Sequence, residues 1–280
     1  MIVTTSVRAE FERRSARADA LLPSPILSFV SLLCRAQGAI AGALESVTPS
    51  VSEGPGGAGG APPLPPRPLA HARGDIAFDQ LLPLIEPFLR IVADRGPEQL
   101  VVQALARLDD DVLTARARLM TYWNGGVTAR DDYLSRAILR PYAEVLRSRG
   151  ATLDRLHNPG HCPFCGGAPM ISTRREIPDA AEAAMRMLHC GLCGLEWKFN
   201  RACCPACSEE KPDKLPVYKS DAHPAVRIEA CETCGRYVKS IDLTLDARPI
   251  AEIDDVVSLS MDLWAREQGY TRFEPGLAGV

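Results

Sequence analysis

Apolar residues in the first half of the chain recur every three or four positions, the period of a helix with one buried face. Ser24-Pro25 reads as an N-cap followed by proline at the first helical position, and Ile26, Phe29, Val30 and Leu33 then share a face. Phe78, Leu81, Leu82, Ile85, Leu89 and Val92 repeat the pattern, with Pro83 and Pro87 predicting a kink or a late start. Pro97 opens another helix running to about Leu108, and Asp110 or Asp111 opens a third that ends at Asn124-Gly125-Gly126. Asp131 or Asp132 caps a fourth that reaches Arg149 before Gly150. Residues 1–155 therefore read as a helical bundle, interrupted at about 49–74 by a Gly/Pro-rich stretch with almost nothing to bury, expected to be a loop rather than a domain.

From His161 the period changes. Pro169 to Arg175 and Met185 to His189 read as the arms of a hairpin-like excursion, and Ala180 to Ala184 between them reads as a loop or a single turn. Near the end, Asp254 and Asp255 precede Val256, Val257, Ser260, Leu263 and Trp264, with Gly269 as a stop. This predicts a closing helix that packs back on the region before it or on the bundle. The expected fold class is α+β.

The cysteines change the picture of that second half. Cys162/Cys165, Cys190/Cys193, Cys204/Cys207 and Cys231/Cys234 form four Cys-x-x-Cys pairs, with 24 residues between the first two pairs and 23 between the last two. Moving Cys162 and Cys165 by 42 positions lands on Cys204 and Cys207, and moving Cys190, Cys193, Gly194 and Lys198 by 41 lands on Cys231, Cys234, Gly235 and Lys239. A repeat of about forty residues follows, with a first unit at 156–200, a second at 201–248, and the closing helix and tail at 249–280. Two thiolates two residues apart grip one ion from a tight turn, and two such turns complete a tetrahedral S4 site suited to zinc or iron. Each loop is too short for a large apolar core, so an ion would contribute roughly 10 kcal/mol or more to folding its unit. Gly166, Gly194 and Gly235 follow the second cysteine of three pairs, where positive φ turns backbone N–H groups toward sulfur.

Paired Cys-x-x-Cys in a chain of 280 residues fits metal or redox chemistry better than a disulfide scaffold. Cys34 reads as a buried core thiol. Cys203 could replace Cys204 as a ligand or react as a spare thiol, but only Cys204 keeps the two-residue spacing. His161 and His189 each precede a cysteine and read as polar neighbours of the sites rather than ligands. A closed four-cysteine site leaves no position for substrate, and no His-x-x-x-His, P-loop, nucleophile elbow or dinucleotide fingerprint occurs, so no enzyme is expected.

Charge narrows the partners. The formal net charge is −3, and filling both sites would take it to about −7 through ligand deprotonation. Residues 160–246 hold eleven Lys and Arg against twelve Asp and Glu, which argues against nucleic acid. Lys198, Arg201, Arg236 and Lys239 read as solvated residues flanking anionic clusters. Glu10 and Glu12 among the N-terminal arginines, Asp19 and Pro23 before the apolar run and Arg35 interrupting it argue against an export signal, and no stretch reads as long and clean enough to span a membrane. The cytoplasm suits thiolate sites assembled in reduced form.

The runs HCPFCGGAPM, LHCGLCGLEWKFNRACCPAC, ACETCGRYVKSID and DDVVSLSMDLWAREQGY, with their Trp197, Arg201 and Gly269-Tyr270 contexts, resemble the FdhE family of formate dehydrogenase accessory proteins over roughly residues 160 to 272. The resemblance implies a helical domain followed by two tandem rubredoxin-like units, and a cytoplasmic, non-enzymatic role. It implies assistance in the maturation of respiratory formate dehydrogenase through contact with its catalytic subunit. It also implies that the eight paired cysteines, Cys162, Cys165, Cys190, Cys193, Cys204, Cys207, Cys231 and Cys234, hold two ions, iron or zinc. The Arg-x-x-Cys-x-x-Cys pattern of the third pair selects Arg201, Cys204 and Cys207, and does not require the cysteine at 203. A rubredoxin-like electron carrier or thiol-redox protein stands as the alternative, and self-association stays open.

Overall fold

The computed structural model describes residues 6–21, 24–47, 78–124, 132–150, 159–176, 184–246 and 249–279. The expectations for 49–74 and for most of Ala180–Ala184 fall outside these. The chain divides into two compact units, one of residues 1–16 and 31–156 and one of 17–30 and 157–280.

The helices are α1 (Val7–Ala20), α2 (Pro25–Glu45), α3 (Ile85–Arg95), α4 (Glu98–Leu108), α5 (Val112–Trp123) and α6 (Tyr133–Ser148). Their starts follow the caps seen in sequence. Ser24 Oγ accepts from Leu27 N at 3.1 Å, Asp111 from Thr114 N at 2.7 Å and Asp132 from Ser135 N at 2.9 Å. The two prolines delay α3 as expected, because Pro83 sits in a short 3-10 turn and Pro87 in the first turn of the helix.

In the first unit α6 is almost wholly buried; its Leu134, Ile138 and Tyr142 are among the most buried side chains of the unit, as are Phe11, Leu33, Phe88 and Leu89, and Tyr142 meets Phe78 and Trp123 edge-on. Pro141 lies inside α6 and supplies no N–H to the carbonyl of Ala137. The buried Gln37 side chain donates to that carbonyl at 2.8 Å, so the helix passes its proline without an orphaned acceptor. Glu144 is held between Arg14 (3.0 Å) and Arg140 (2.9 Å).

One expectation about α2 is corrected. The helix continues through Arg35 to Glu45, and its length and composition would allow it to cross a membrane; 61% of that window is buried inside the chain. Arg35, itself a good helix former, sits within the helix with its Nε donating to Ser15 Oγ at 3.0 Å.

The second unit is built on a seven-stranded sheet. Its strands are β1 (Pro169–Arg175), β2 (Met185–Cys190), β3 (Glu196–Lys198), β4 (Val217–Lys219), β5 (Val226–Cys231), β6 (Arg236–Asp242) and β7 (Thr271–Arg272). Their order is β3-β2-β1-β6-β5-β4, with β7 also on β6. The repeat is visible here, since Met185–Cys190 moved by 41 positions is Val226–Cys231. Within each repeat the neighbours are antiparallel, while β1 and β6 run parallel, with Ser172 opposite Ser240 and Arg174 opposite Asp242. The opening strand of one repeat thus seats against the closing strand of the other, head to tail. The two seam strands have seven residues each and the outer strands β3 and β4 three, which keeps the exposed edges short.

The closing helix differs from expectation. It begins at Ala251, ahead of the two aspartates, and breaks at Ser258 into α7 (Ala251–Val257) and α8 (Leu259–Glu267). Neither aspartate is an N-cap. Asp254 pairs with Arg17 and accepts from Ile250 N at 2.8 Å, while Asp255 turns inward. Met261 and Ala265 of α8 pack on Ile228, Ala230 and Tyr237, and Ala251 packs on Ile171 and Ile241.

Beneath these helices lies a buried ionic network, and here the reading of Lys239 as a solvated residue is overturned. Lys239 is 0% exposed. Its ammonium contacts Asp262 and Asp255 (3.0 Å), and donates to the carbonyls of Asp255 (2.9 Å) and Ser258 (3.3 Å) at the end of α7. Arg272 bridges Asp255 (2.9 Å) and Asp262 (3.1 Å), and Tyr237 Oη donates to Asp262 at 2.8 Å. The ammonium adds to the Ser258 N–H at the Asp255 carbonyl and to the Met261 N–H at the Ser258 carbonyl, a cation favourably placed at the C-terminal end of α7 where the helix breaks.

Candidate metal centres

All four Cys-x-x-Cys turns have one backbone form. The residue after the second cysteine donates its N–H to the first cysteine's carbonyl: Gly166 to Cys162 at 2.9 Å, Gly194 to Cys190 at 3.3 Å, Ser208 to Cys204 at 2.9 Å and Gly235 to Cys231 at 2.9 Å. Each donor residue has positive φ, between 62° and 72°. Three are the glycines singled out in sequence. Ser208 is the only described non-glycine residue in that region and was legible only by analogy with the other three turns. A Cβ in left-handed backbone costs roughly 1–2 kcal/mol, part of which glycine returns through unfolded-state entropy. Ser208→Gly is accordingly expected to stabilise the metal-loaded protein by up to about 1 kcal/mol, a rise in thermal midpoint of about 2–4 °C; a lowered midpoint would contradict this account of the turn.

These turns gather eight sulfurs into two groups, Cys162/Cys165/Cys190/Cys193 and Cys204/Cys207/Cys231/Cys234, each with its sulfur atoms within 4.8 Å of one another. In the first group Cys162 and Cys193 are 3.5 Å apart and Cys165 and Cys190 3.3 Å. In the second, Cys204 and Cys234 are 3.8 Å apart and Cys207 and Cys231 3.6 Å. A regular tetrahedron with metal–sulfur distances of about 2.3 Å has edges of about 3.8 Å, so the donor set fits a four-coordinate ion in both places. Each cluster could bind one ion.

The clusters differ in exposure. All four cysteines of the first are buried, whereas in the second Cys207 is exposed and Cys234 half-buried. Gly167 belongs to the first site for a reason invisible in sequence: a Cβ there would stand 3.1 Å from Cys190 Sγ and 3.2 Å from Cys165 Sγ. The Leu192 and Cys193 N–H groups donate to Cys190 Sγ at 3.3 and 3.4 Å.

Crowding sets the proton affinities. The Cys165, Cys190 and Cys193 thiols stabilise a thiolate at Cys162 and pull its pKa far down, while burial pushes Cys190 and Cys193 well up. In the second cluster burial raises Cys204 strongly and Cys234 to about 11. At Cys231 burial is outweighed by the Cys234 N–H and by neighbouring thiols, leaving its pKa lowered. One thiol of each cluster, Cys162 or Cys231, thus loses its proton readily while two others hold theirs, a charge state that a divalent cation would complete.

The other sequence candidates fall outside the clusters. Cys203 Sγ sits 3.7 Å from the Cys204 carbonyl, and its pKa is raised by burial and then by Glu210. His189 bonds Thr173 Oγ1 at 2.8 Å, and His161 stacks edge-on against Phe273 at 5.4 Å. Trp197 donates to the Pro159 carbonyl at 3.2 Å, and Tyr270 Oη meets Tyr218 Oη at 3.1 Å, so both act in packing.

The chain matches family models described as "FdhE, central domain" over residues 161–201 and "FdhE, C-terminal domain" over 202–277, dividing between the two repeats. A "Protein FdhE homolog" of Aquifex aeolicus is 28% identical over 207 residues, covering 72% of this chain and 71% of that one. A homologue of the same name from Pseudomonas aeruginosa is 36% identical over 120 residues, 41% of this chain and 38% of its own. "Protein FdhE" of Escherichia coli is 34% identical over 113 residues, 40% of this chain and 35% of its own. The alignments thus span less than two-fifths of the Pseudomonas and Escherichia proteins. The crystal structure of the FdhE protein from Pseudomonas aeruginosa superposes with a TM-score of 0.62 at 24% identity, covering 97% of this chain and 95% of that one, which shows a common fold. With both domains matched in order and the two sulfur clusters placed one in each, residues 161–277 of this chain are similar to the central and C-terminal domains of FdhE proteins.

Proposed function

We propose that this protein promotes assembly of active respiratory formate dehydrogenase by binding its catalytic subunit in the cytoplasm, without itself catalysing a reaction. In this reading the eight paired cysteines hold two ions, iron or zinc, and residues 1–155, 156–200, 201–248 and 249–280 act as scaffold, two rubredoxin-like units and a closing element. The observation that carries the reading is the match to both FdhE domains, each with a sulfur cluster of four donors that leaves no open coordination position. Zinc bound there would supply folding energy alone, and iron would add a one-electron couple. The chain's own part is to set the sulfurs with the four turns and to hold the seam between repeats.

Affinity capture of the tagged, full-length protein from anaerobically grown cells expressing the dehydrogenase is expected to recover the catalytic subunit. Recovery no greater than from cells lacking the tagged protein would sink the proposal. The partial exposure of the second cluster favours one second reading, electron transfer through a rubredoxin-like iron site. A colourless zinc-loaded form that restores full dehydrogenase activity to a deletion strain would remove it.

A further inference from the structure

The sheet of the second unit has two unlike faces. Ile171, Ile228, Tyr237, Lys239 and Ile241 point to the side covered by α7 and α8. Because cross-strand partners share a face, the register places Arg186, Arg174 and Asp242 in one row on the other side. Arg227, Glu229 and Arg236 stand on that same side, opposite Ser240, Val238 and Cys231. Arg201, from the turn between the repeats, joins these four arginines around a cleft of about 220 Å³.

Five guanidinium groups meet few carboxylates there. Asp242 is shared by Arg174 (3.2 Å) and Arg227 (2.9 Å), and Glu229 pairs with Arg186 at 2.7 Å. Arg186 is further fixed by the carbonyls of Asn200 (3.0 Å) and Cys203 (2.9 Å). Arg201 and Arg236 have no carboxylate partner among the described residues, and Arg236 lies over the Phe273 ring at 5.3 Å. Burial and then the neighbouring Arg174 lower the pKa of Arg227, as expected where cations are crowded.

The second sulfur cluster borders the cleft through Cys204 and Cys231. No guanidinium–sulfur hydrogen bond occurs among the described residues of this cluster. The arginines are therefore not consumed in neutralising the metal site.

We propose that this cleft binds a compact, multiply charged phosphate group, either free diphosphate or the diphosphate of a small organic ester. Guanidinium groups bind phosphate oxygens in a bidentate fork, and several converging on one small space match a dense anion. Carboxylates along a peptide are spread over about 3.3 Å per residue and match it less well. Leu215, Pro216 and Val217 form an apolar wall against which an organic moiety would pack. The proposal is independent of the accessory role, since its readout is binding by the purified protein.

Calorimetric titration of the full-length, metal-loaded protein at about 0.15 M salt, with inorganic diphosphate in one arm and adenosine diphosphate in the other, tests it. Saturable one-to-one binding is expected, weakened at least tenfold by Arg201→Ala and by Arg236→Ala with metal content unchanged. Arg175→Ala, an exposed arginine outside the cleft, is expected to leave it unaltered. Tenfold tighter binding of adenosine diphosphate would assign the organic ester and equal affinity the free anion, both within the proposal. Absence of saturable binding in both arms, indifference to both cleft substitutions, or tighter binding of a glutamate-rich hexapeptide than of either phosphate would overturn it.

Discussion

Cys193→Ala is expected to cut the metal content of the purified protein from two ions to one per chain and to melt the first repeat. The loops of that repeat hold only a thin apolar core, so an S4 site supplies folding free energy on the order of 10 kcal/mol, more than the whole stability of many domains. Removing one sulfur also opens the site to water. The damage should cross the seam, because β1 loses its order and β6 then lacks its parallel neighbour along Ser240–Asp242. Elemental analysis with far-UV circular dichroism reads both effects. A variant that keeps two ions with native melting would remove Cys193 from the ligand set.

The unequal exposure of the clusters adds a kinetic expectation. A chelator should strip the second cluster first, because Cys207 is exposed and Cys234 half-buried while the first four cysteines are all buried. Acid should release both ions. Burial keeps Cys190 and Cys193 protonated in the free protein, so loading must expel protons there, and affinity falls as pH falls.

Lys239→Met is expected to destabilise the second unit by about 3–5 kcal/mol, the usual cost of removing one partner from a buried ionic network. Asp262 would keep Arg272 but lose the ammonium, and the carbonyls of Asp255 and Ser258 would each lose one of their donors. Pairing Lys239→Met with Asp262→Leu should recover part of the loss, since the stranded carboxylate is then gone. Denaturant midpoints measured on metal-loaded protein check this, and a shift under about 1 kcal/mol for the single variant would refute a structural role for the ammonium. The network also sets a pH limit. Although burial opposes it, Arg272 and Lys239 lower the pKa of Asp255 below its ordinary 3.8. A carboxyl whose folded value is depressed adds stability that is fully present above its unfolded value, about 3.9, and is lost as pH falls through the folded value.

Several features of the second unit were legible because they are local. The Cys-x-x-Cys turn is a four-residue structure, and its repetition at offsets of 41 and 42 announced two clusters without any knowledge of the sheet. Ser24, Asp111 and Asp132 announced helix starts, because a cap bonds a backbone group three residues away. Asp254 and Asp255 stand in sequence where a helix start is expected, yet both lie inside α7. Their partners, Arg17 on one side and Lys239 with Arg272 on the other, are too distant in the chain for any local pattern to reveal. Pro141 shows the same limit, since the donor that lets α6 continue comes from Gln37, roughly a hundred residues earlier.

By itself, then, the sequence determined the kind of ligand, the pairing of the turns, the duplication and the helical character of the first half. All of these rest on spacings within a turn or a repeat. Only the tertiary structure decided that the repeats share one sheet through β1 and β6, that Lys239 is buried while Arg236 is exposed, and that five arginines converge beside Cys203. Lys239 and Arg236 are three residues apart on one strand and so point to opposite faces. Which face was to be covered depended on α7 and α8, and on nothing within the strand.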